Sequence, residues 1–525
     1  MKKYLLLFIL CLSISFSVQA ETTLYRGNGT EPETLDIHKS SGVPEANIQR
    51  DLFEGLITEA ADGSLIPGVA ERWEQDESGK KWTFHLRDTA KWSDGSAVTA
   101  ADFVAAMHRA VNPATASEYA FILWPIKNAE AISKGENKEI SQLGVKAVDD
   151  KTLEIYLENP TAYLTGLLAH HMAYPIPTKV VEKFGSKWTR PKNLVSNGAY
   201  TLAEWVPQSH IKLSKNPYYR EQSQVSVDSI IYYPTEDKGS ELRRFRANEL
   251  DITEDVPTDQ IKWIKENLAD AFHNSPYIGT YYMALNLGKA PFKDQLKLRK
   301  ALNLAIDRKI LTEKVTKAGE IPAWGWVPPG VANYTQQLMQ HSDLDKKSRE
   351  ALAIKLFKEA GYSKAKPLEI ELLYNTSDNH KKVAIALSAM WKKVLGVKIK
   401  LRNEEWKVYL NSRTQRQFQM IRAGWIGDYN DAYTFLSLFR SDVGSMNPSV
   451  YKNTEFDRLV QQSEKEADIT KRAELMQKAE SILLTDLPII PIYHYTTQHL
   501  VSKKIKGWVD NVMDIHQSRY LSKSE

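Results

Sequence analysis

The first half of the chain carries two clear hydrophobic periodicities. Residues 82–87 (Trp-Thr-Phe-His-Leu-Arg) and 152–157 (Thr-Leu-Glu-Ile-Tyr-Leu) alternate apolar and polar side chains, which is the pattern of a half-buried strand. Residues 45–57 instead place their apolar side chains at helical spacing. Thr99, followed three residues later by Asp102, predicts the capped start of another helix. The sequence therefore predicts that helices and strands are mixed in this half.

The second half alternates strands with helices, and glycine residues end two of the helices. The predicted elements are helices over residues 300–315, 348–360 (before Gly361) and 379–395 (before Gly396), and strands over residues 368–374 and 397–401. Strand–helix–strand spacing of this kind builds a parallel or mixed sheet. The sequence as a whole therefore predicts the α/β class.

Residues 420–431 (Met-Ile-Arg-Ala-Gly-Trp-Ile-Gly-Asp-Tyr-Asn-Asp) combine a predicted strand with a turn-prone loop. Arg422 and Asp428 are six positions apart, so their backbones lie at most about 20 Å from each other. A fixed cation and a fixed anion that flank glycines suit a short zwitterion, whose carboxylate meets Arg422 and whose ammonium meets Asp428. The alternative is an internal salt bridge between these two residues on a surface loop.

The N-terminus reads as a secretory signal peptide. A short basic start is followed by an apolar run, and the small residues before Glu21 predict cleavage after Ala20. The only cysteine, Cys11, lies inside this segment, so the mature chain is expected to have no thiol, no disulfide and no cysteine metal site. No later stretch approaches the span of about 18 apolar residues that a membrane helix needs. The sequence thus predicts an exported protein.

Length and charge narrow the function further. The chain has 525 residues, and removal of residues 1–20 lowers its formal charge from +4 to +2. This length predicts more than one domain. A near-neutral balance argues against a nucleic-acid partner. The 13 Trp and 24 Tyr residues supply large cores, and they are also typical of peptide- and carbohydrate-binding clefts.

Several separated blocks resemble one protein family. The sequence is similar to the bacterial extracellular solute-binding proteins that serve oligopeptide ABC importers, and it is nearest to the oligopeptide and murein-tripeptide receptors. The blocks that carry the resemblance are Ala70-Glu71-Arg72-Trp73, residues 82–88, Lys91-Trp92-Ser93-Asp94-Gly95, Asn197-Gly198-Ala199-Tyr200 and residues 299–308.

The resemblance implies a two-lobed fold of the type II periplasmic-binding-protein class, with an extra third domain (cluster C). The expected ranges are 21–53, 181–279 and 496–525 for domain I, 54–180 for domain II and 280–495 for domain III. It also implies a periplasmic monomer that binds short peptides, has no cofactor and no enzymatic activity, and serves an inner-membrane ABC permease.

The resemblance also implies how the ends of a bound peptide are held. It assigns the peptide carboxylate to Arg422 and the α-amino group to Asp428. His380, in the first turn of a predicted helix, and Arg413 stand at further positions that meet the carboxylates of peptides of other lengths. A surface histidine and a solvated arginine are the alternatives for these two residues.

Backbone pairing and pocket walls are the remaining implied features. The resemblance implies hydrogen bonds to the peptide backbone from Gly42 and Val43 on one side, and from Gly424, Trp425 and Ile426 on the other. Aromatic positions that match the family's ligand site are Tyr119, Tyr282, Trp406, Trp425 and Tyr493. Each of these aromatic residues alone is also consistent with a place in the core.

Three departures from the family pattern bear on ligand preference. Ser41 stands where related receptors can have an acidic residue, which puts a preference for basic ligand side chains in doubt. Thr316, beside Lys317, stands where some relatives have lysine. Asp431-Ala432 replaces a common Glu-Pro.

The rival interpretations rest on weaker patterns. His170 and His171 suggest a metal, but adjacent side chains diverge and no partner ligand stands at a recognisable spacing. The sequence has no His-Glu-x-x-His, Gly-x-Ser-x-Gly or Walker motif. A hydrolase that uses a carboxylate pair, a murein-peptide receptor and a receptor for a non-peptide ligand remain as alternatives.

Overall fold

The structure is a computed structural model that describes residues 21–363, 365–466 and 468–524. The predicted signal peptide and Cys11 lie outside these residues. Within the described part of the chain, no helix is both long enough and apolar enough to cross a membrane.

The described strands are β1 Thr23–Gly27, β2 Ile57–Glu59, β3 Leu65–Pro67, β4 Ala70–Gln75, β5 Lys81–Leu86, β6 Val145–Ala147, β7 Thr152–Tyr156, β8 Tyr200–Val206, β9 His210–Lys215, β10 Ser229–Tyr233, β11 Phe272–Leu285, β12 Ile321–Pro322, β13 Glu369–Asn375, β14 Lys398–Glu404, β15 Met420–Ile426, β16 Ile489–Leu500, β17 Ile505–Lys506 and β18 Ser522–Lys523.

The described α-helices are α1 Val43–Leu52, α2 Ala100–Val111, α3 Ala129–Ser133, α4 Leu164–Ala169, α5 Thr178–Phe184, α6 Lys238–Arg246, α7 Ile261–Asn267, α8 Leu296–Leu304, α9 Arg308–Ile310, α10 Lys346–Glu359, α11 Asp378–Leu395, α12 Trp406–Thr414, α13 Tyr433–Leu436, α14 Thr454–Lys465 and α15 Ile469–Asp486. A π-helical turn, Leu311–Thr316, follows α9, and short 3₁₀ turns occur in several loops.

Three large sheets organise the molecule. Their strand orders are β1-β10-β9-β8, β4-β5-β7-β6 and β12-β16-β11-β15-β13-β14. The last sheet is mixed, since β13 runs parallel to β14 and β15 while β11 runs antiparallel to β15 and β16. Helices accompany each sheet, which confirms the α/β class.

Each predicted domain range contains one of the large sheets, and two long strands connect two of the ranges. β11 and β16 pair from Phe272 opposite Leu500 to Ala284 opposite Ile489. Their register shifts between Pro276 and Thr280, next to the proposed boundaries at 279/280 and 495/496. A pair of strands with an irregular register at this point is suited to connect two bodies that move as lobes.

Several local predictions are confirmed. The side chain of Asp102 accepts the backbone N–H of Thr99 (2.9 Å), and α2 begins at the next residue, Ala100. Gly361 and Gly396 follow α10 and α11 with φ of +90° and +78°, the left-handed conformation that ends a helix.

Two predicted helices are shorter than expected. The helix over 45–57 ends at Leu52, because the chain then passes close to Tyr174: a Cβ on Gly55 would lie 2.8 Å from that ring. The helix over 300–315 breaks after Leu304. Asp307 accepts the N–H of Ile310 (3.1 Å) and so starts a separate short helix.

Candidate functional site

A cavity of about 390 Å³ is lined by residues from all three predicted domain ranges. It is lined by most of the residues that the sequence predicts for ligand binding: Gly42, Val43, Tyr119, His380, Trp406, Arg413, Arg422, Gly424, Trp425, Ile426 and Asp428. Ser41 lies in the same wall. Segments far apart in the sequence therefore meet around one cavity.

One edge of β15 is open beside this cavity. β11 pairs with every residue of β15, whereas β13 pairs only with the first two. Gly427 donates its N–H toward β11, to the carbonyl oxygen of Ile278 (2.7 Å). Because successive residues of a strand direct their backbone polar groups to opposite edges, those of Gly424 and Ile426 face the open edge. An extended peptide can add to this edge as a further strand.

Arg422 places a buried cation on the same strand. Its guanidinium donates to Oδ1 of Asn375 (3.2 Å) and to the hydroxyl of Tyr495 (2.8 Å), and it lies 4.5 Å from the centre of the Tyr281 ring. Its Nε has no hydrogen-bond partner, and no described carboxylate is within ion-pair distance. A buried cation without a counter-charge is costly, so a ligand carboxylate would supply the missing partner.

The pKa of Arg422 reflects opposing influences. Burial by itself lowers the pKa, but the phenol oxygens of Tyr495 and Tyr281 raise it, and the net pKa lies above the usual value. The guanidinium therefore stays positively charged when it meets a ligand.

Asp428 lies just beyond the C-terminal end of β15. One carboxylate oxygen accepts the hydroxyl of Thr434 (2.9 Å), and the other lies 3.5 Å from Nε2 of His170. Asp428 pairs with no Lys or Arg among the described residues, and it does not pair with Arg422. The alternative of an internal salt bridge between Arg422 and Asp428 is therefore wrong, and both charges remain available to a ligand.

His380 lies in the first turn of α11, as predicted. Ser377 caps this helix by accepting the N–H of His380 (3.5 Å). The residue is half-buried, and its shielded Nδ1 has no hydrogen-bond partner among the described residues. Burial, the Arg422 guanidinium and the Lys238 ammonium hold the pKa of His380 well below its usual range. The neutral ring can donate to a carboxylate at the helix N-terminus without adding a charge.

Arg413 differs from Arg422 because it already has an acidic partner. Its Nη2 lies 3.9 Å from Oε2 of Glu118, and the other carboxylate oxygen, Oε1, accepts the hydroxyl of Thr414 (2.7 Å). Arg413 lines the cavity but is partly neutralised. Of the three residues predicted to bind a ligand carboxylate, Arg422 is therefore the charged one that lacks an acidic partner among the described residues.

The opposite wall begins at the N-terminus of α1. Gly42 is the N-cap residue in an extended conformation, and Val43 is the first residue of the helix, with its N–H outside the helical hydrogen bonds. A Cβ on Gly42 would lie 3.3 Å from the Trp406 ring. Gly42 and Trp406, from different predicted domains, thus approach closely across the cavity.

Aromatic rings form a stack at the Asp428 end. Tyr119 lies parallel to Trp425 at 6.1 Å and to His170 at 5.6 Å between ring centres. Tyr282 and Tyr493 do not line the cavity, so their predicted place in its wall is corrected. Tyr282 packs edge-on against Trp326 in the core, and Tyr493 stacks behind Tyr281. Adjacent β11 residues face opposite sides of the sheet, which directs Tyr282 away from the cavity.

Sequence reasoning missed an acidic part of the wall. Glu241 and Glu254 line the cavity, and no Lys or Arg side chain among the described residues forms an ion pair with either of them. Burial raises the pKa of Glu241 to about 8 and that of Glu254 to about 7. No local pattern marks these residues, since Glu241 lies on α6 and Glu254 lies in the loop that follows this helix. Thr316, by contrast, is buried and donates its hydroxyl to Glu320 (2.8 Å).

Contacts across the cavity indicate a closed arrangement. Tyr163 stacks on Tyr429 with ring centres 5.2 Å apart. Further along the same interface, Lys134 pairs with Asp442 (3.0 Å) and Arg440 with Glu130 (3.1 Å). These contacts join the predicted ranges 54–180 and 280–495, which would separate if the cavity opened.

Comparison with known proteins shows which family this chain resembles. Residues 64–447 match the family model described as bacterial extracellular solute-binding proteins, family 5 Middle. The chain is 44% identical to the periplasmic oligopeptide-binding protein OppA of Escherichia coli K12, over 93% of this chain and 89% of OppA.

Two solved structures are closely similar. The E. coli murein tripeptide binding protein MppA is 39% identical with a TM-score of 0.93, over 96% of this chain and 99% of that one. Haemophilus influenzae OppA in complex with the peptide RPPGFSPFR is 40% identical with a TM-score of 0.92, over the same shares of the two chains. The unliganded open form of MppA scores only 0.68 at 39% identity, over 96% of this chain and 98% of that one. The arrangement described here therefore matches the peptide complex far better than the open form.

Proposed function

The chain belongs to family 5 of the bacterial extracellular solute-binding proteins, and on that basis we propose that it captures short peptides in the periplasm and delivers them to an inner-membrane ABC importer. The observation that carries the proposal is the placement of Arg422 and Asp428 at the two ends of an open strand edge inside one cavity. The cation lacks a carboxylate partner and the anion lacks a Lys or Arg partner, so the pair is complementary to a zwitterion.

A bound peptide would lie along β15. Its backbone hydrogen bonds with Gly424 and Ile426 on one side and with the Gly42–Val43 segment on the other, which requires no particular side chain. Asp428 then accepts the α-amino group, and Arg422 receives the carboxylate. His380 or Arg413 replaces Arg422 for peptides of other lengths. Direction and register are set by the two peptide ends.

Domain closure completes the mechanism. Peptide contacts with both walls favour the closed arrangement over the open one, because the open form offers only one wall at a time. The irregular pairing of β11 with β16 gives the two lobes a connection at which to move. We propose that the closed, peptide-loaded monomer is the form that the ABC permease recognises.

A murein peptide is the second candidate, and one observation favours it. Glu241 and Glu254 line the cavity without an ion-pair partner among the described basic side chains, so they can accept an ammonium other than the α-amino group of the ligand. Diaminopimelate in murein peptides carries such a group. A lysine-containing peptide offers the same chemistry, so the two ligands must be separated by experiment.

The test is native mass spectrometry of the untagged protein purified from the periplasm, followed by gentle denaturation and identification of the released ligand. A family of masses that match tripeptides to pentapeptides supports a general peptide receptor. A single mass that contains diaminopimelate supports the murein-peptide receptor. A non-peptide mass overturns both, and it would mean that Arg422 and Asp428 hold something other than peptide ends.

A further inference from the structure

Two histidines and an aspartate converge near the C-terminus. Nε2 of His499, in β16, and Nε2 of His516 each lie 3.0 Å from the same oxygen, Oδ1 of Asp514. One candidate ligand atom from each of the three residues lies within 4.8 Å of the other two. His499 and Asp514 also line the cavity, so this group is reached from the ligand side.

The surroundings orient both rings. Nδ1 of His499 lies 3.0 Å from the backbone carbonyl oxygen of Thr253. A carbonyl and a carboxylate both only accept, so Nδ1 of His499 donates to Thr253 and Nε2 donates to Asp514. The His516 ring stacks on Trp508 with centres 3.6 Å apart. A histidine that donates one ring N–H to a backbone carbonyl and turns the other nitrogen toward a carboxylate is oriented as metal-binding histidines are.

The spacing also suits a small divalent ion. Zinc binds histidine nitrogen and carboxylate oxygen at about 2.0–2.2 Å, so tetrahedral ligand atoms lie roughly 3.3 Å from one another. The two nitrogen–oxygen distances of 3.0 Å at Asp514 are only a few tenths of an ångström shorter. The three side chains would keep roughly this spacing when an ion displaces the Nε2 protons that now bond Asp514, and these protons are released to solvent.

We propose that Nε2 of His499, Nε2 of His516 and a carboxylate oxygen of Asp514 form a binding site for a divalent transition metal ion of the Zn²⁺ class. Two imidazoles and one carboxylate form a ligand set that such ions accept. The fourth coordination position faces the cavity, where water or a polar group of a bound ligand completes it. The site does not depend on the peptide proposal, because none of its three residues is among the proposed peptide contacts.

The test is titration of the untagged mature protein, first freed of metal with a chelator, with ZnCl₂ in competition with a chromophoric chelator. We expect one Zn²⁺ per chain at micromolar affinity or tighter. His516→Gln is expected to weaken binding at least tenfold. His210→Gln, which removes a partly exposed histidine that pairs with Glu204 (3.3 Å) elsewhere, is the matched control and should bind as the wild type does.

The proposal is overturned if the wild type binds no stoichiometric Zn²⁺, or if His516→Gln and His210→Gln bind it equally. Should His516→Gln fail to fold, a crystal of the wild-type protein soaked in ZnCl₂ decides the matter. An anomalous difference peak between His499, Asp514 and His516 supports the site, and a map without a peak there rejects it.

Discussion

The carboxylate of Asp428 lies 3.5 Å from Nε2 of His170, and the two residues reach this contact from different predicted domains. His170 follows α4, whereas Asp428 follows β15. Asp428 thus contacts the facing domain and lines the ligand cavity at the same time. If a peptide amino group binds at this carboxylate, as we propose, we expect its binding to be coupled to the closed arrangement.

Asp428→Asn should weaken the binding of peptides with a free N-terminus by about 10- to 100-fold, because a hydrogen bond to a charged group contributes roughly 1.5–3 kcal/mol. The asparagine keeps a partner for the Thr434 hydroxyl, so the loop is retained. Isothermal titration calorimetry with one tripeptide measures the loss. An N-acetylated copy of that peptide should bind both proteins alike, and equal affinity of the two proteins for the free peptide would contradict the assignment.

Arg422→Gln should cost more peptide affinity than Arg413→Gln, since Glu118 already pairs with Arg413 (3.9 Å) while Arg422 has no described carboxylate partner. We expect at least a tenfold loss for Arg422→Gln, from the removal of a charge-assisted contact. The measurement is calorimetry with peptides of three, four and five residues. C-terminally amidated peptides serve as the control, because they should discriminate less between the two variants. A larger loss for Arg413→Gln at every length would reverse the assignment.

The sequence predicts local features of the fold well. Capping by Asp102, the ends of α10 and α11 and the strand that contains Arg422 follow from side chains within a few residues of each other. The break after Leu304 was missed, because helical periodicity continues through it while Asp307 caps a new turn. Hydrophobic periodicity predicts which face of a helix is buried. It does not predict where a polar side chain forms a hydrogen bond with a backbone N–H and so ends or restarts the helix.

Only part of the candidate site can be predicted from the sequence, because tertiary structure brings its residues together. The resemblance suggested Arg422, Asp428 and Tyr493. The first two line the cavity, whereas Tyr493 lies one layer behind it against Tyr281. Tyr495, two positions further along β16, is the residue that bonds Arg422 (2.8 Å). Position along a strand decides which of the two tyrosines lines the cavity, and a sequence pattern cannot distinguish them.

Gly424→Ala should reduce peptide affinity, because its Cβ would lie 2.4 Å from the Tyr495 hydroxyl and 3.3 Å from Nη2 of Arg422. Tyr495 must move, and its bond to Arg422 is strained. Tyr495→Phe removes the obstructing oxygen, so the added cost of Gly424→Ala should be smaller in that background. Calorimetry on the four proteins gives the coupling energy. Gly239→Ala is the matched control: its added Cβ would have no atom closer than 3.4 Å, so this variant should bind peptide normally. If the affinity losses of Gly424→Ala and Tyr495→Phe simply add in the double variant, the proposed clash is contradicted.

Glu480 in α15 provides a test of stability against pH that is separate from the ligand site. It is fully buried, and its Oε1 accepts the N–H groups of Trp326 (2.7 Å) and Val327 (2.9 Å). Burial raises the pKa of Glu480 to about 7, although these bonds and the Tyr334 hydroxyl lower it. Below the unfolded pKa of about 4.3, both states are protonated and the raised pKa has no effect on stability.

Glu480→Gln should therefore become progressively more stable than the wild type as the pH rises from about 4.5 to 7, with a constant difference above that. Between these values the unfolded wild type releases a proton that its folded state retains, so wild-type stability falls by up to roughly 3 kcal/mol. The glutamine amide preserves the neutral hydrogen-bond pattern. Urea unfolding of the ligand-free proteins between pH 4.5 and 8 measures the free energy of unfolding of each. The difference between the two proteins isolates Glu480, because the other titrating groups are common to both. Glu474→Gln changes an exposed position on the same helix and should show no such trend. A pH-independent difference in stability between Glu480→Gln and the wild type would mean that Glu480 does not retain its proton in the folded protein.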